Sequence, residues 1–212
     1  AYGAERVDVF SITSSIVTTL YYGGCASVTQ TRRVSGSSND FDAIDSLNQL
    51  SRTICKTRPS PEWIDSELRA IDARKHYSPA ALIVIYAVTS AAFTLFFGGD
   101  GMDMLASAAI AVLLRLFETA LKPASINRLF TQLLFGFAGG LAANLCVLAA
   151  FGRHTDLISI GNIMLFVPGI AFTNSLRDLF SGETITGLIR FFESLLLAIL
   201  LALGFALANL MF

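Results

Sequence analysis

Apolar positions divide this chain into two regimes. Residues 1–78 mix apolar and polar side chains at short range, whereas residues 79–212 carry apolar runs long enough for a bilayer. In the first regime, VDVFSIT (with Val7, Val9 and Ile12), SIVTTLYY over 15–22 and ASVTQTRRV over 26–34 are rich in β-branched and aromatic residues. Ser14-Ser15 and Gly23-Gly24 separate them, which predicts a three-stranded antiparallel meander. Residues 35–39, SGSSN, read as a loop. Phe41, Ile44, Leu47, Leu50 and Ile54 then recur every three or four positions, predicting a helix over 40–56 capped by Asn39 or Asp40. Ser60-Pro61-Glu62 opens a second helix, with serine as N-cap, proline in the first turn, and Ile64, Leu68 and Ile71 on its buried side. The expected product is a small α+β domain over residues 1–78, near the size limit of a self-sufficient core. Such a domain is expected to lean on the membrane part, on another chain or on a preceding element.

The second regime contains five apolar segments: 80–97, 104–117, 129–151, 157–180 and 185–212. The first would rise about 27 Å as a helix, close to the thickness of a hydrocarbon core. The third carries Gly136 and Gly140 in GxxxG spacing, which lets helix backbones approach closely. The fourth, LISIGNIMLFVPGIAFTNSLRDLF, is interrupted at its middle by Pro168-Gly169. Proline removes a helical hydrogen bond, and exposed backbone at membrane depth is costly unless protein or a water-lined cavity meets it. The fold class read from this pattern is a mainly α membrane protein with five transmembrane helices, the fourth broken at Pro-Gly.

Composition agrees: 54% of residues are hydrophobic, 15% are charged, and the mean hydropathy is +0.63. A net charge of -1 speaks against a nucleic-acid partner, which calls for a basic excess. Cys25, Cys55 and Cys146 form no CxxC pair, and His76 and His154 complete no zinc pattern, so no metal or cofactor is expected. Asp8, Asp40, Asp42 and Asp45 lack a histidine or glycine-rich partner, and Ser11, Ser14 and Ser15 lack a base, so the chain does not read as an enzyme. The chain opens in mid-pattern at Ala1 with no basic region before an apolar core, so a processed or truncated start is expected rather than a secretory leader.

Basic residues set the expected orientation. With residues 1–78 in the cytoplasm, that side receives Arg6, Arg32, Arg33, Arg52, Lys56, Arg58, Arg69, Arg74 and Lys75. It also receives Arg115, Lys122 and Arg128 between spans two and three, and Arg177 and Arg190 between spans four and five. Fourteen basic residues thus oppose Arg153 alone, and five crossings put the C-terminus on the other face.

Among polar membrane residues, Arg190 and Glu193 lie one helical turn apart, with Glu193 about 12 Å into the fifth span. Ionisable groups at that depth are functional candidates. Arg115 and Glu118 share the spacing but fall near a membrane interface, where snorkelling accounts for them. Asn162 and Asn174 flank the break and are placed either to bond freed carbonyls or to meet a solute. A half-helix resuming near Ile170 presents free N–H groups suited to a carboxylate.

The strand pattern ending in TRRV, LNQLSRTI, FTLFFGGD and above all IMLFVPGIAFTNSLRDLFSGETITGLIRFFESLLLA resemble the threonine/serine exporter family, over nearly the whole chain. More narrowly, they resemble its N-terminal half, a small cytoplasmic domain followed by about five spans. In that family a second block of about five spans follows or forms a separate protein. With the chain stopping at Phe212, the resemblance implies a first-half subunit of a split exporter, completed by a second-half membrane subunit in an oligomer. Family members also carry an amphipathic helix before the first strand, and the resemblance implies that it is absent or lost here.

Carried across by position, the motif falls on Pro168, Gly169, Asn174, Arg177, Asp178, Glu183, Arg190 and Glu193. The resemblance implies export of a small carboxylate solute across the inner membrane, threonine or serine or a dicarboxylate such as succinate. Proton coupling, as in an antiporter, is expected to act through Glu193. The alternatives are a scaffold or gating subunit and, behind it, a membrane-anchored hydrolase.

Overall fold

A computed structural model describes residues 3–12, 14–23, 26–34, 40–74, 77–121 and 127–212. The chain divides into two compact units, Ala1–His76 and Tyr77–Phe212.

In the first unit, β1 (Ala4–Ile12), β2 (Ser15–Tyr22) and β3 (Ala26–Arg33) form an antiparallel meander in that order. The register places Val7, Leu20 and Val28 in one cross-strand row, with an irregularity between Ala4 and Arg6. Asp40 caps α1 (Phe41–Thr57) by accepting from the Ala43 N–H at 3.0 Å. Ser60 caps α2 (Pro61–Asp72) by accepting from Trp63 N–H at 3.3 Å, with Pro61 in the first turn. Arg74 reaches back to α1, to Asp42 at 3.0 Å and Ser46 at 2.7 Å. Leu50 is the one buried apolar side chain among this unit's described residues, while Val9 and Phe10 are more than half exposed. The two-sided exposure explains why so short a segment carries little core of its own. The alternative cap Asn39, the loop 35–39, Gly24, Cys25, Lys75, His76 and Lys122 lie outside the described residues.

The second unit is helical: α3 (Pro79–Phe96), α4 (Gly101–Leu121), α5 (Arg128–Leu148), α6 (Thr155–Ile163), α7 (Gly169–Phe180) and α8 (Thr184–Asn209). Four of these, α3, α4, α5 and α8, are long and apolar enough to cross a membrane. The expectation of five such helices is therefore corrected. The fourth segment folds as two short helices of 9 and 12 residues, rising about 13 and 18 Å, and neither spans a bilayer alone. Proline and glycine end α6 early, as their backbone chemistry requires.

Helix directions follow from the side chains that meet. Tyr86 meets Glu118 and Ser90 meets Ser107, so α3 and α4 form an antiparallel hairpin. Arg128 meets Glu193 and Asn144 meets Asn209, so α5 and α8 run parallel. A Cβ on Gly136 would stand against the Leu201 carbonyl oxygen, and one on Gly204 against the Leu133 carbonyl, so the two backbones touch. Because α5 and α8 are parallel, α6 and α7 together return the chain from the end of one to the start of the other. Ala106, Ile110, Leu114, Ala143 and Ile158 form the packed centre where α4, α5 and α6 meet.

Candidate functional site

The interruption between α6 and α7 is built from its sequence. Pro168 has no N–H to offer the Met164 carbonyl, and Gly169 N–H turns to the Val167 carbonyl at 2.8 Å. Phe166 and Val167 both donate to the Ile163 carbonyl, at 2.9 and 3.1 Å. The Phe166 carbonyl is met from outside, by Gln132 Nε2 of α5 at 2.7 Å. The Phe166 ring stacks on Phe135 at 4.8 Å and touches Tyr86 edge-on at 6.4 Å. Side chains from α3 and α5 thus enclose the break, as backbone at membrane depth demands. Gln132 and Phe135 sit in the first two turns of α5, so the break lies toward the end of the bundle where α5 begins rather than at its middle.

The sequence-predicted residues fall in three places. Asn162 is fully buried, accepting from Ser90 Oγ at 3.1 Å and donating to Ser107 Oγ at 3.2 Å and to the Ile158 carbonyl at 2.9 Å. Pro168 and Gly169 form the start of α7, where a Cβ on Gly169 would meet open space. On α7, Phe172 packs against Phe191 and Leu179 against Gly187, both of α8. Asn174 and Arg177 lie on the opposite side of the helix and are exposed, and their side chains make no hydrogen bond or ion pair among the described residues. Asp178 pairs with Arg190 at 2.9 Å, and Glu183 stands at the N-cap of α8 without a side-chain cap bond.

Arg190 and Glu193 do not pair with each other. Glu193 pairs instead with Arg128 at 3.3 Å, at the first turn of α5. It is nine residues into α8, about 13 Å along that helix, yet level with the start of α5. The first nine residues of α8 overhang its neighbour, which counting along one segment does not reveal.

Three groups escaped the sequence reading. The first is Arg115 and Glu118, assigned above to snorkelling. Their side chains are only 11% and 27% exposed, ion-paired inside the bundle. Tyr86 of α3 donates to the same Glu118 Oε2 at 3.2 Å, and the Arg115 guanidinium lies 5.2 Å from the centre of the Tyr86 ring. The second is a seam of buried hydroxyls: Ser90 and Ser107 Oγ lie 2.6 Å apart, and Thr94 donates to the Ser90 carbonyl at 3.0 Å. Tyr86, Ser90 and Thr94 recur at intervals of four in α3, a polar stripe that was available as a signal.

The third is Asp103, completely buried although ionisable. Asp100 Oδ1 accepts from Met102 and Asp103 N–H, and Asp103 Oδ2 accepts from Asp100 N–H at 3.2 Å, a capping box readable in DGMD. The loop before α6 adds Arg153 and His154 N–H on Oδ1, at 2.6 and 3.1 Å, and His154 Nδ1 on Oδ2 at 2.7 Å. The hydrogen bond to Asp103 holds the half-exposed His154 imidazole above its ordinary pKa, against the opposing effect of burial. Asp100, Asp103 and His154 bring potential ligand atoms within 4.8 Å of one another. Asp103 is already taken by four N–H donors and Asp100 by the helix cap and Arg153, so hydrogen bonding accounts for the group.

Four membrane-length helices, preceded in the chain by a non-membrane unit bearing a sheet, define a multi-pass membrane protein. The chain belongs to the threonine/serine exporter family ThrE, whose family model matches residues 1–211. This is a transporter family rather than a known enzyme family. No curated protein and no solved structure matches the chain.

Proposed function

We propose that the chain is a subunit of a secondary exporter that moves a small carboxylate solute out of the cell with proton coupling. Threonine or serine, or a dicarboxylate such as succinate, fits that description. The observation that carries this reading is the interrupted pair α6–α7, enclosed by side chains of α3 and α5. Phe172 is the first residue of α7 whose N–H finds a helical carbonyl, that of Pro168 at 3.0 Å. The N–H groups of Ile170 and Ala171, just before it, form a partial positive end suited to a carboxylate. Asn174 and Arg177 face outward on the same helix, and we assign them with Asn162, Pro168, Gly169, Asp178, Glu183, Arg190 and Glu193 to the solute and ion pathway.

The fourteen-to-one basic asymmetry supports a cytoplasmic N-terminal unit in the inner membrane, and α6–α7 serving as one crossing puts the C-terminus outside. A second-half membrane subunit would cover the outward face of α7 and complete the pathway. In this scheme Glu193 carries the coupling proton while Arg128 takes its place as the partner of a passing carboxylate. Efflux of labelled threonine and succinate from preloaded native cells should fall to background when the chain is deleted. Glu193→Gln at the native locus should abolish the dependence of efflux on the proton gradient; gradient-dependent efflux at the wild-type rate removes Glu193 from the mechanism.

A further inference from the structure

Resting on the export reading, the structure points to one solute-binding site within this chain: we infer that Tyr86, Arg115 and Glu118 bind the solute as a zwitterionic α-amino acid. Arg115 takes its carboxylate and Glu118 its ammonium. The cluster lies inside the bundle, Tyr86 seven residues in from the start of α3 and Arg115 six from the end of α4, about 10 Å from those helix ends. That is deeper than the Arg128–Glu193 pair, which is level with the first residue of α5.

Burying such a pair is not a route to stability. Two charges taken from water lose hydration that their attraction repays only in part, and apolar replacements of similar volume are commonly neutral or stabilising. An intramembrane pair of this kind therefore calls for a role beyond packing. Its chemistry is specific. The guanidinium is planar and offers paired donors that match a carboxylate, and the face of Tyr86 at 5.2 Å fixes the orientation of that plane. Glu118 is acceptor-only when ionised, the complement of an ammonium. The two satisfy each other, with the Tyr86 hydroxyl on the same Glu118 oxygen. A zwitterion inserted between them replaces one ion pair with two, leaving no charge unmatched. A dicarboxylate supplies a second negative group where Glu118 already stands, and like charges there repel.

Position connects the cluster to the pathway. Tyr86 touches Phe166, whose carbonyl Gln132 holds at the interruption, so the site is one side chain away from the break in α6–α7. Threonine and serine also carry a hydroxyl, for which the freed Tyr86 hydroxyl is a ready partner.

Two measurements test the site. In native cells carrying chromosomal variants, Glu118→Gln and Arg115→Met should each lower threonine efflux by about tenfold or more, the scale set by losing a charge-assisted hydrogen bond. With the purified full chain in lipid nanodiscs, serine should displace labelled threonine. Succinate, N-acetylthreonine and threonine methyl ester should not, and Glu118→Gln should lose the discrimination against the N-acetyl compound. The double variant Arg115→Met/Glu118→Leu separates binding from bracing. It should keep or raise the thermal unfolding midpoint while abolishing efflux, whereas a lowered midpoint would mark a structural clamp and overturn the proposal. Wild-type threonine efflux retained in both single variants, or succinate displacing threonine as well as serine does, overturns the site and leaves the export reading standing. A wild-type chain that exports neither solute overturns both.

Discussion

Two helix contacts in the membrane unit differ in what dominates them. Between α5 and α8 the contact is made by backbone: Gly136 and Gly204 leave no room for a Cβ, and Gly140 admits Phe205 and Ala208. Between α3, α4 and α6 it is made by side-chain hydrogen bonds, through Ser90, Ser107 and Asn162 in the middle and Asp103 with His154 at one end. Lipid supplies no hydrophobic force to press helices together, so close packing and hydrogen bonding are what remain. The glycine contact tolerates no side chain along its middle, and its polar pairs, Arg128–Glu193 and Asn144–Asn209, stand at its two ends. The polar seam demands matched partners at each level, and it takes ionisable side chains into the interior of the bundle, at Asp103, Arg115 and Glu118. Close packing dominates the parallel pair; the region beside the helix break adds polar matching to close packing, since a Cβ on Gly161 would meet the Thr94 and Ser107 hydroxyls and the Ser90 carbonyl.

The largest expected effect breaks the glycine side. Gly204→Val would drive its side chain into the Leu133 carbonyl and the Phe137 backbone nitrogen, neither of which can yield. A loss of about 3 kcal/mol is expected, read as a collapse of the unfolding midpoint in detergent. A shift within error would mean that the two helices have room to part.

A smaller effect is expected from the seam. Asn162→Leu removes the amide that joins α6 to both α3 and α4, but Ser90 and Ser107 still bond each other. A cost of about 1 kcal/mol fits the modest worth of such bonds in membranes. A cost equal to that of Gly204→Val would refute the division drawn here.

The smallest effect belongs to His154. Its folded pKa is raised by the hydrogen bond to Asp103, so the folded chain holds the proton more tightly than the unfolded one. The resulting stabilisation is complete below the free imidazole value of about 6.5 and is lost as pH rises through the higher folded value. Unfolding midpoints measured across that window should decline with pH in the wild type and less in His154→Ala. Identical slopes would show that the Asp103–His154 contact does not contribute to that dependence.

Local signals were legible because their physics is local. Asp40 and Ser60 cap the helices they precede, Pro61 occupies a first turn, and the β-branched runs pair in sequence order. Pro168-Gly169 interrupts its segment for reasons contained in two residues. The capping box at Asp100 and Asp103 was equally local and was passed over, since an aspartate opening an apolar segment looks like its boundary. Arg115 was misjudged because distance from a segment's end measures depth along one helix only. Snorkelling requires that no neighbour cover the side chain, and α3 covers it with Tyr86.

The amino-acid order was sufficient for a membrane chain behind a small sheet-and-helix unit, for its helix caps, and for a break at Pro168. Backbone hydrogen bonding and hydrophobic periodicity act over a few residues and leave their mark in the chain itself. Which charges meet was a matter for packing. Glu193 finds Arg128 and Arg190 finds Asp178 because α5 and α8 run parallel with the break returning the chain between them. Tyr86, Arg115 and Glu118 converge for the same kind of reason, since α3 and α4 turn back on one another and bring together residues 32 apart in the chain. Side-chain pairing depends on direction and register between helices, and neither is written in any single segment.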